Sequence, residues 1–382
     1  MKWEKVKLGN YVKILSGYPF ESNQFSDKEG KPLIRIRDIK RGFTETFYTG
    51  KYEEAYLIKQ GDLLIGMDGE FNIASWEGEE SLLNQRVCKI ETEDFTILDN
   101  NYLKHFLPQE LKKIENRTAF VTVKHLSVKS IENIQIPLPP LSEQKRIAAI
   151  LDKADVLRRK DEELLKKYDE LAQSIFIDMF GDPVKNEKGW EVKRFGDIID
   201  SFKYGTNEKS GSYSDNSIPV LRIPNIIGDD ISLNDLKYSK LSNKEIESTL
   251  LRNGDLLFVR TNGNPNYIGR SAVFNLNEKF SYASYLIRAR MNTVNVPLSK
   301  YIQFAMSYKS YRPIILKKTT TTAGNYNINT VALKNLEICI PSMSLLKVFS
   351  DIIENIKSQK NKKNCSESLF RSLLYQAFKG EL

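Results

Sequence analysis

Two distant stretches of this chain carry the same ladder of apolar positions, and that repetition limits the folds open to it. Ile147, Ile150, Ala154, Leu157, Leu164, Tyr168, Leu171 and Ile175 alternate spacings of three and four, with one polar interruption at Asp161. Such a ladder is the seam of a coiled coil. Phe349, Ile352, Ile356, Gln359, Lys363, Ser366, Phe370, Leu373 and Ala377 each follow a member of that series, Asp161 included, by 202 positions. Pro137, Pro139 and Pro140 precede the first ladder, Ser142 is its candidate N-cap, and Gly181 with Pro183 stops it; Gly380 stops the second. Lys145 stands where a capping box would need Glu or Gln. A helix of this length is a rod of roughly 55 Å. One rod cannot bury its stripe alone, so the two ladders are expected to pack on one another.

The segments between the ladders repeat as well. Trp3-Glu4 returns as Trp190-Glu191, and Pro32, Arg35 and Ile36 return as Pro219, Arg222 and Ile223, both 187 positions on. The run from Gly61 to Ile65 returns from Gly254 to Phe258, 193 positions on, and Asn133 returns as Asn335, 202 on. The growing offset means that the second half gained loop residues on a kept frame. Strands are expected at 33–36, 62–65, 86–90, 220–223, 255–259 and 286–290, and helices at 102–114 and at 299–316, the latter interrupted by Pro313. The expected fold is α+β: globular domains at 1–135 and 187–340, separated by two long helices at 136–181 and 341–380. The short connector 181–188 leaves no room for the second half to fold back, so the helices should form an antiparallel pair with a pseudo-twofold axis and Asp161 opposite Lys363. Two separated readers related by a twofold suit duplex DNA, whose strands are antiparallel.

The formal charge of +8 and pI near 9.0 point to a polyanionic partner. Cys88, Cys339 and Cys365 are widely spaced, as reduced buried thiols are. The start MKWEKVKLGN has no signal-peptide core and no stretch is apolar enough to span a bilayer, so a cytoplasmic protein without a membrane partner is expected. His105 and His125, the two histidines, are too few for a histidine metal centre or repeated acid-base chemistry. Asn264-Pro265-Asn266-Tyr267 approaches an amino-methyltransferase signature without its third residue or a glycine-rich cofactor loop, and neither a phosphate loop nor a Pro-Asp nuclease start occurs. No cofactor, no metal and no catalytic residue are expected. The PLPP segment is read as a stiff joint ahead of the helix, rather than an SH3-type ligand.

The segment IPLPPLSEQKRIAAILDKAD, the doubled halves, the stretch TTTTAGNYNINTVALKNLEICIP and the ending LLYQAFKGEL together resemble the specificity subunit of type I restriction-modification systems. The likeness covers essentially the whole chain. It implies two target recognition domains, each reading one half of a bipartite site in double-stranded DNA. It also implies helices that act as spacer and as docking surface for two DNA methyltransferase (modification) subunits, with motor-nuclease (restriction) subunits joining. The second copy reads PSMSLLKVFSDI and lacks the Glu143-Gln144 pair, so the two docking surfaces need not be chemically identical.

Candidate DNA contacts fall on the loops. Arg35, Arg37 and Arg222 leave apolar strands near a proline, placed either to reach phosphate or guanine or to pair with a nearby carboxylate. Arg260, Asn262, Asn264 and Tyr267 put cation, amides and an aromatic on a turn shaped by Gly and Pro, whereas the counterpart 67–72 is acidic. Lys317, Lys318, Thr320, Asn325 and Tyr326 suit phosphate contact with some base reading; their counterpart, which includes Lys124, is shorter and less polar. A merely tolerated, solvated loop is the competing account of both. Two other readings of the chain are a self-contained methyltransferase or nuclease with degenerate motifs, and a coiled-coil anti-restriction scaffold, which should be acidic where this chain is basic.

Overall fold

The computed structural model describes residues 3–117, 124–228, 230–291, 295–322, 324–363 and 365–382, without the side chains of 362, 363 and 365. The chain forms two compact units, Met1–Glu163 with Asn364–Leu382, and Leu164–Lys363. Each is α+β.

In the first unit an antiparallel sheet runs in the order Val12–Ser16, Val87–Thr92, Leu63–Gly66, Ile73–Ser75. The unbroken apolar run at its centre follows from burial on both faces. Leu63 and Ile65 meet the helices, while Leu64 packs with Trp76, Leu83 and Val87 on the other side. A second sheet contains the parallel pair Lys31–Ile34 and Ser81–Leu83. The second unit repeats this frame, with the sheet order Ile199–Tyr204, Leu286–Met291, Leu256–Val259, Ser271–Val273 and the parallel pair Ile218–Leu221 and Ser281–Tyr282. Leu256 and Phe258 face one core, Leu257 and Val259 the other. At Gly17 and Gly205 a Cβ would lie 2.0 Å from the carbonyl oxygens of Asn84 and Tyr282, so at these matching crossings only glycine fits.

Two expected strands end early. The chain leaves them after Ile34 and Leu221 and enters single turns at Ile36–Asp38 and Ile223–Asn225. The cause is local: Asp38 Oδ2 accepts the backbone N–H of Arg35, and Asn225 Oδ1 that of Arg222, both at 2.9 Å. The helix expected at 299–316 is two helices, Val296–Ser307 and Arg312–Lys317, with Pro313 in the first turn of the second, where its missing N–H costs nothing.

The first ladder is the helix Leu141–Phe180, ended by Gly181 at φ +77°, whose N–H reaches Ile177 O at 2.8 Å. The second ladder is Met343–Lys363 and Cys365–Lys379. In the first unit Arg146 Nη2 donates to Leu382 O at 2.8 Å while Arg158 lies over the Phe370 ring, so these segments run antiparallel. In the second unit Phe180 packs on Phe349 and Asp169 pairs with Lys360 at 2.6 Å, again antiparallel. The buried stripe differs from the expected seam. Leu157 and Leu171 are 57% and 46% exposed, while Gln144, Ile147, Ala148, Leu151 and Ala154, then Ala172, Phe176 and Phe180, are buried. Each helix segment also packs against its own globular half, with Phe106 or Tyr301 in the same core, and this turns the buried stripe away from a pure helix-helix seam. The expected apposition of Asp161 and Lys363 lies outside the described side chains. Among the described residues no helix is long and apolar enough to cross a membrane.

Candidate nucleic-acid interface

In the second half the central strand Leu256–Val259 runs out into a loop that two backbone hydrogen bonds hold in place. Arg260 N–H donates to Tyr285 O at 3.0 Å, and Arg260 O accepts from Ile328 N–H at 2.9 Å. Beyond that point Thr261–Asn262 pairs with Asn325–Asn327, which pairs with Thr320–Thr322, making a small three-stranded sheet. This sheet joins the loops 260–267 and 317–327. The Arg260 guanidinium lies 4.6 Å from the centre of the Tyr204 ring and donates to Ser284 O, and Arg270 lies 4.1 Å over Tyr267. Asn262 and Asn264 shape the turn, each side-chain oxygen accepting a backbone N–H two residues on, at 2.9 Å. Arg312 braces the loop from behind, donating to the carbonyls of Pro265 and Ile268. Burial pushes the Arg312 guanidinium below its ordinary range, with Arg270 adding repulsion. Lys317 and Lys318 are exposed and form no ion pair with a described residue.

The first half has the same frame with different side chains. Met67 N–H donates to Arg86 O at 2.8 Å and Met67 O accepts from Leu126 N–H at 2.7 Å, the counterparts of the two bonds at Arg260. Asp68 bridges His125 as Thr261 does Asn327, and the ladder goes no further among the described residues. Here charge is matched in pairs, Asp68 with Arg86 at 2.6 Å, Glu70 with Lys40, and Glu115 with Lys112 and Lys124, and Asp68 also takes Nδ1 of His125 at 2.7 Å. The cation at Lys112, then that at Lys124, holds the Glu115 carboxyl below its usual range despite partial desolvation.

The model of the type I restriction modification DNA specificity domain matches the chain twice, over residues 1–167 and 187–366. The chain belongs to the family of type I restriction-modification specificity subunits. It is 28% identical over 424 residues to the EcoBI specificity subunit of Escherichia coli, covering 100% of this chain and 86% of that one. It is 24% identical over 421 residues to the EcoKI specificity subunit of Escherichia coli strain K12, covering 100% and 89%. A crystal structure of the type I restriction-modification S subunit from M. genitalium superposes with a TM-score of 0.58 over 99% of this chain and 96% of that one, at 12% identity, a likeness of fold.

Within this specificity subunit the residues singled out from sequence separate into two groups. Arg260, Asn262, Asn264, Tyr267, Lys317, Lys318, Thr320, Asn325 and Tyr326 all lie on the paired loops of the second half, and Lys124 occupies the position matching Tyr326 in the first. Arg35, Arg37 and Arg222 belong to the turns after the parallel strands. Arg37 donates to Thr46 and lies near Asp38, and Arg222 donates to the carbonyl and carboxylate of Asp235, at 2.8 and 3.1 Å. Arg222 Nε is buried without a hydrogen-bond partner. Sequence reading passed over Asp38 and Asn225, which set these turns, and Tyr204, Arg270 and Arg312, which place the second-half loop. The three-residue spacing from arginine to a short polar acceptor, in RIRD and RIPN, was the available signal for the first pair. Nothing in the local sequence marks the other three. The Glu143-Gln144 pair is mostly internal structure: Gln144 is fully buried, donating to Ile97 O and Pro139 O and accepting from Asp99 N–H, while Glu143 takes Arg146.

Proposed function

We propose that each half of this specificity subunit reads one half of a bipartite site in double-stranded DNA. The helices set the spacing between half-sites and dock two DNA methyltransferase (modification) subunits, with motor-nuclease (restriction) subunits completing the assembly in the cytoplasm. The chain itself supplies recognition and leaves bond-making to those partners. The observation that carries this reading is a matched pair of backbone frames, at Met67 and Arg260, that present unrelated side chains: Asp68, Arg86, Lys124 and His125 in one half, Thr261, Tyr285, Tyr326 and Asn327 in the other. A constant frame with a variable polar surface is what two readers of different sequences require. The second surface carries the arginine, amide and aromatic groups that recognise base edges and the lysines that neutralise phosphate. Replacing residues 190–335 with those of a relative should change one half of the methylated motif and leave the other half and the spacing intact. Mapping methylated bases across the host genome tests this; a motif altered in both halves, or in neither, would defeat the proposal.

A further inference from the structure

Arg86 has a backbone conformation that its side chain does not favour. Its φ is +71°, in the left-handed region, whereas Tyr285, at the matching position of the second half, is not among the residues with positive φ. A non-glycine residue there is strained, and such strain persists where it serves a function. An ion pair does not explain it: the Arg86 side chain is 62% exposed, and exposed ion pairs stabilise little. Arg86 is the third residue of a turn closed by Val87 N–H on Asn84 O at 3.3 Å, and from there its side chain reaches a neighbour. Arg86 and the 63% exposed His125 converge on one carboxylate, Asp68, which is only 14% exposed. Asp68 takes Nη1 of Arg86 and Nδ1 of His125. That leaves the rest of the guanidinium fork and His125 Nε2 without a hydrogen bond to a described residue, on the surface that in the second half carries Tyr285 and Asn327.

We propose that Arg86 reads a guanine in the first half-site, that His125 contacts the same half-site beside it, and that Asp68 is a positioning residue that orients both. The proposal rests on the reading that each half recognises one half-site. Arginine offers two parallel N–H donors that match guanine O6 and N7, and His125, held to Asp68 through Nδ1, presents Nε2 for a polar contact with a base edge or the backbone beside it. Asp68 holds the guanidinium by one edge and so removes much of the rotamer freedom that binding would otherwise have to freeze.

The strain supplies its own control. Arg86→Gly removes the side chain at a backbone conformation that glycine adopts freely, so the chain should fold at least as well and its Tm should not fall. The full-length variant, expressed with its methyltransferase subunits, is examined by mapping methylated bases in host DNA. One guanine of the first half-site should become replaceable, with discrimination reduced roughly 5- to 100-fold, while the second half-site and the spacer stay as in wild type. Asp68→Asn and His125→Ala should relax the same half-site to a lesser degree. If the wild-type motif is bipartite and Arg86→Gly leaves every position as strict as before, or relaxes the second half instead, the assignment fails and the two-reader proposal survives. A wild-type chain that marks no bipartite motif would bring down both.

Discussion

The two halves hold their corresponding loops with the same pair of backbone hydrogen bonds and differ in almost every side chain beyond them. At Met67 the frame carries one bridge among the described residues, from Asp68 to His125, and its cations are tied to Asp68, Glu70 and Glu115. At Arg260 the same bridge grows into three short strands, with two arginine-tyrosine stacks and two exposed lysines that form no ion pair with a described residue. Backbone bonding is indifferent to side chains, so it persists while the surface changes. A similar divergence occurs inside the molecule. Gln144 sits at the position matched by Leu346; the first holds three hydrogen bonds while fully buried, and the second lies in an apolar core.

The largest test of this comparison lies at that internal pair. Gln144→Leu would give the first half the residue of the second, and it should destabilise the first half by about 1–3 kcal/mol, since Ile97 O, Pro139 O and Asp99 N–H would lose the partner that a fully buried side chain supplies. Chemical denaturation of the full chain measures it; a change below the error of that measurement would mean that the two helix starts are interchangeable. A smaller effect is expected on DNA. Replacing Lys317 and Lys318 with Ala should lower affinity across all sequences and reduce the slope of log affinity against log salt by ~1 per lysine. The same measurement on Lys124→Ala should move the slope less, because Lys124 is already paired with Glu115 at 3.3 Å.

The smallest expected effect separates the halves by pH. His105 is 5% exposed and bonds Asp152 at 2.8 Å, and burial outweighs the carboxylate to lower its pKa from the ordinary 6.5. A lowered histidine pKa means that the unfolded chain takes up the proton first. The contribution is therefore present above pH 6.5 and is lost as pH falls below it, at no more than about 1.4 kcal/mol per pH unit. The carboxylate matching Asp152 is Glu354, and it pairs with Lys300 rather than with a histidine. Thermal unfolding between pH 7 and 5.5 should show wild type losing stability that His105→Gln retains. Parallel curves for the two would remove His105 from the account.

Much of the architecture is legible in the sequence. The repeated ladders, the proline joint, the glycine stops and the doubled strand runs are local periodicities, and period is a property of the chain itself. The loops 260–267 and 317–327 were each readable as polar and basic, but not as neighbours, since only the pairing of Thr261 and Asn262 with Asn325–Asn327 brings them together. Arg35 and Arg222 were open between DNA and a carboxylate. Arg222 takes Asp235, a residue left-handed at φ +50° in a loop that no motif marks.

Sequence alone therefore determined the duplicated frame, the antiparallel pairing of the helix segments within each unit and the polar character of the second-half loops, because apolar spacing and turn residues act within a few positions of themselves. Tertiary structure decided which helix stripe is buried, which charges are neutralised and that Arg86, Asp68 and His125 meet. Burial and ion pairing depend on partners brought from tens of residues away, and the free energy of a side chain is set by that company rather than by its place in the ladder.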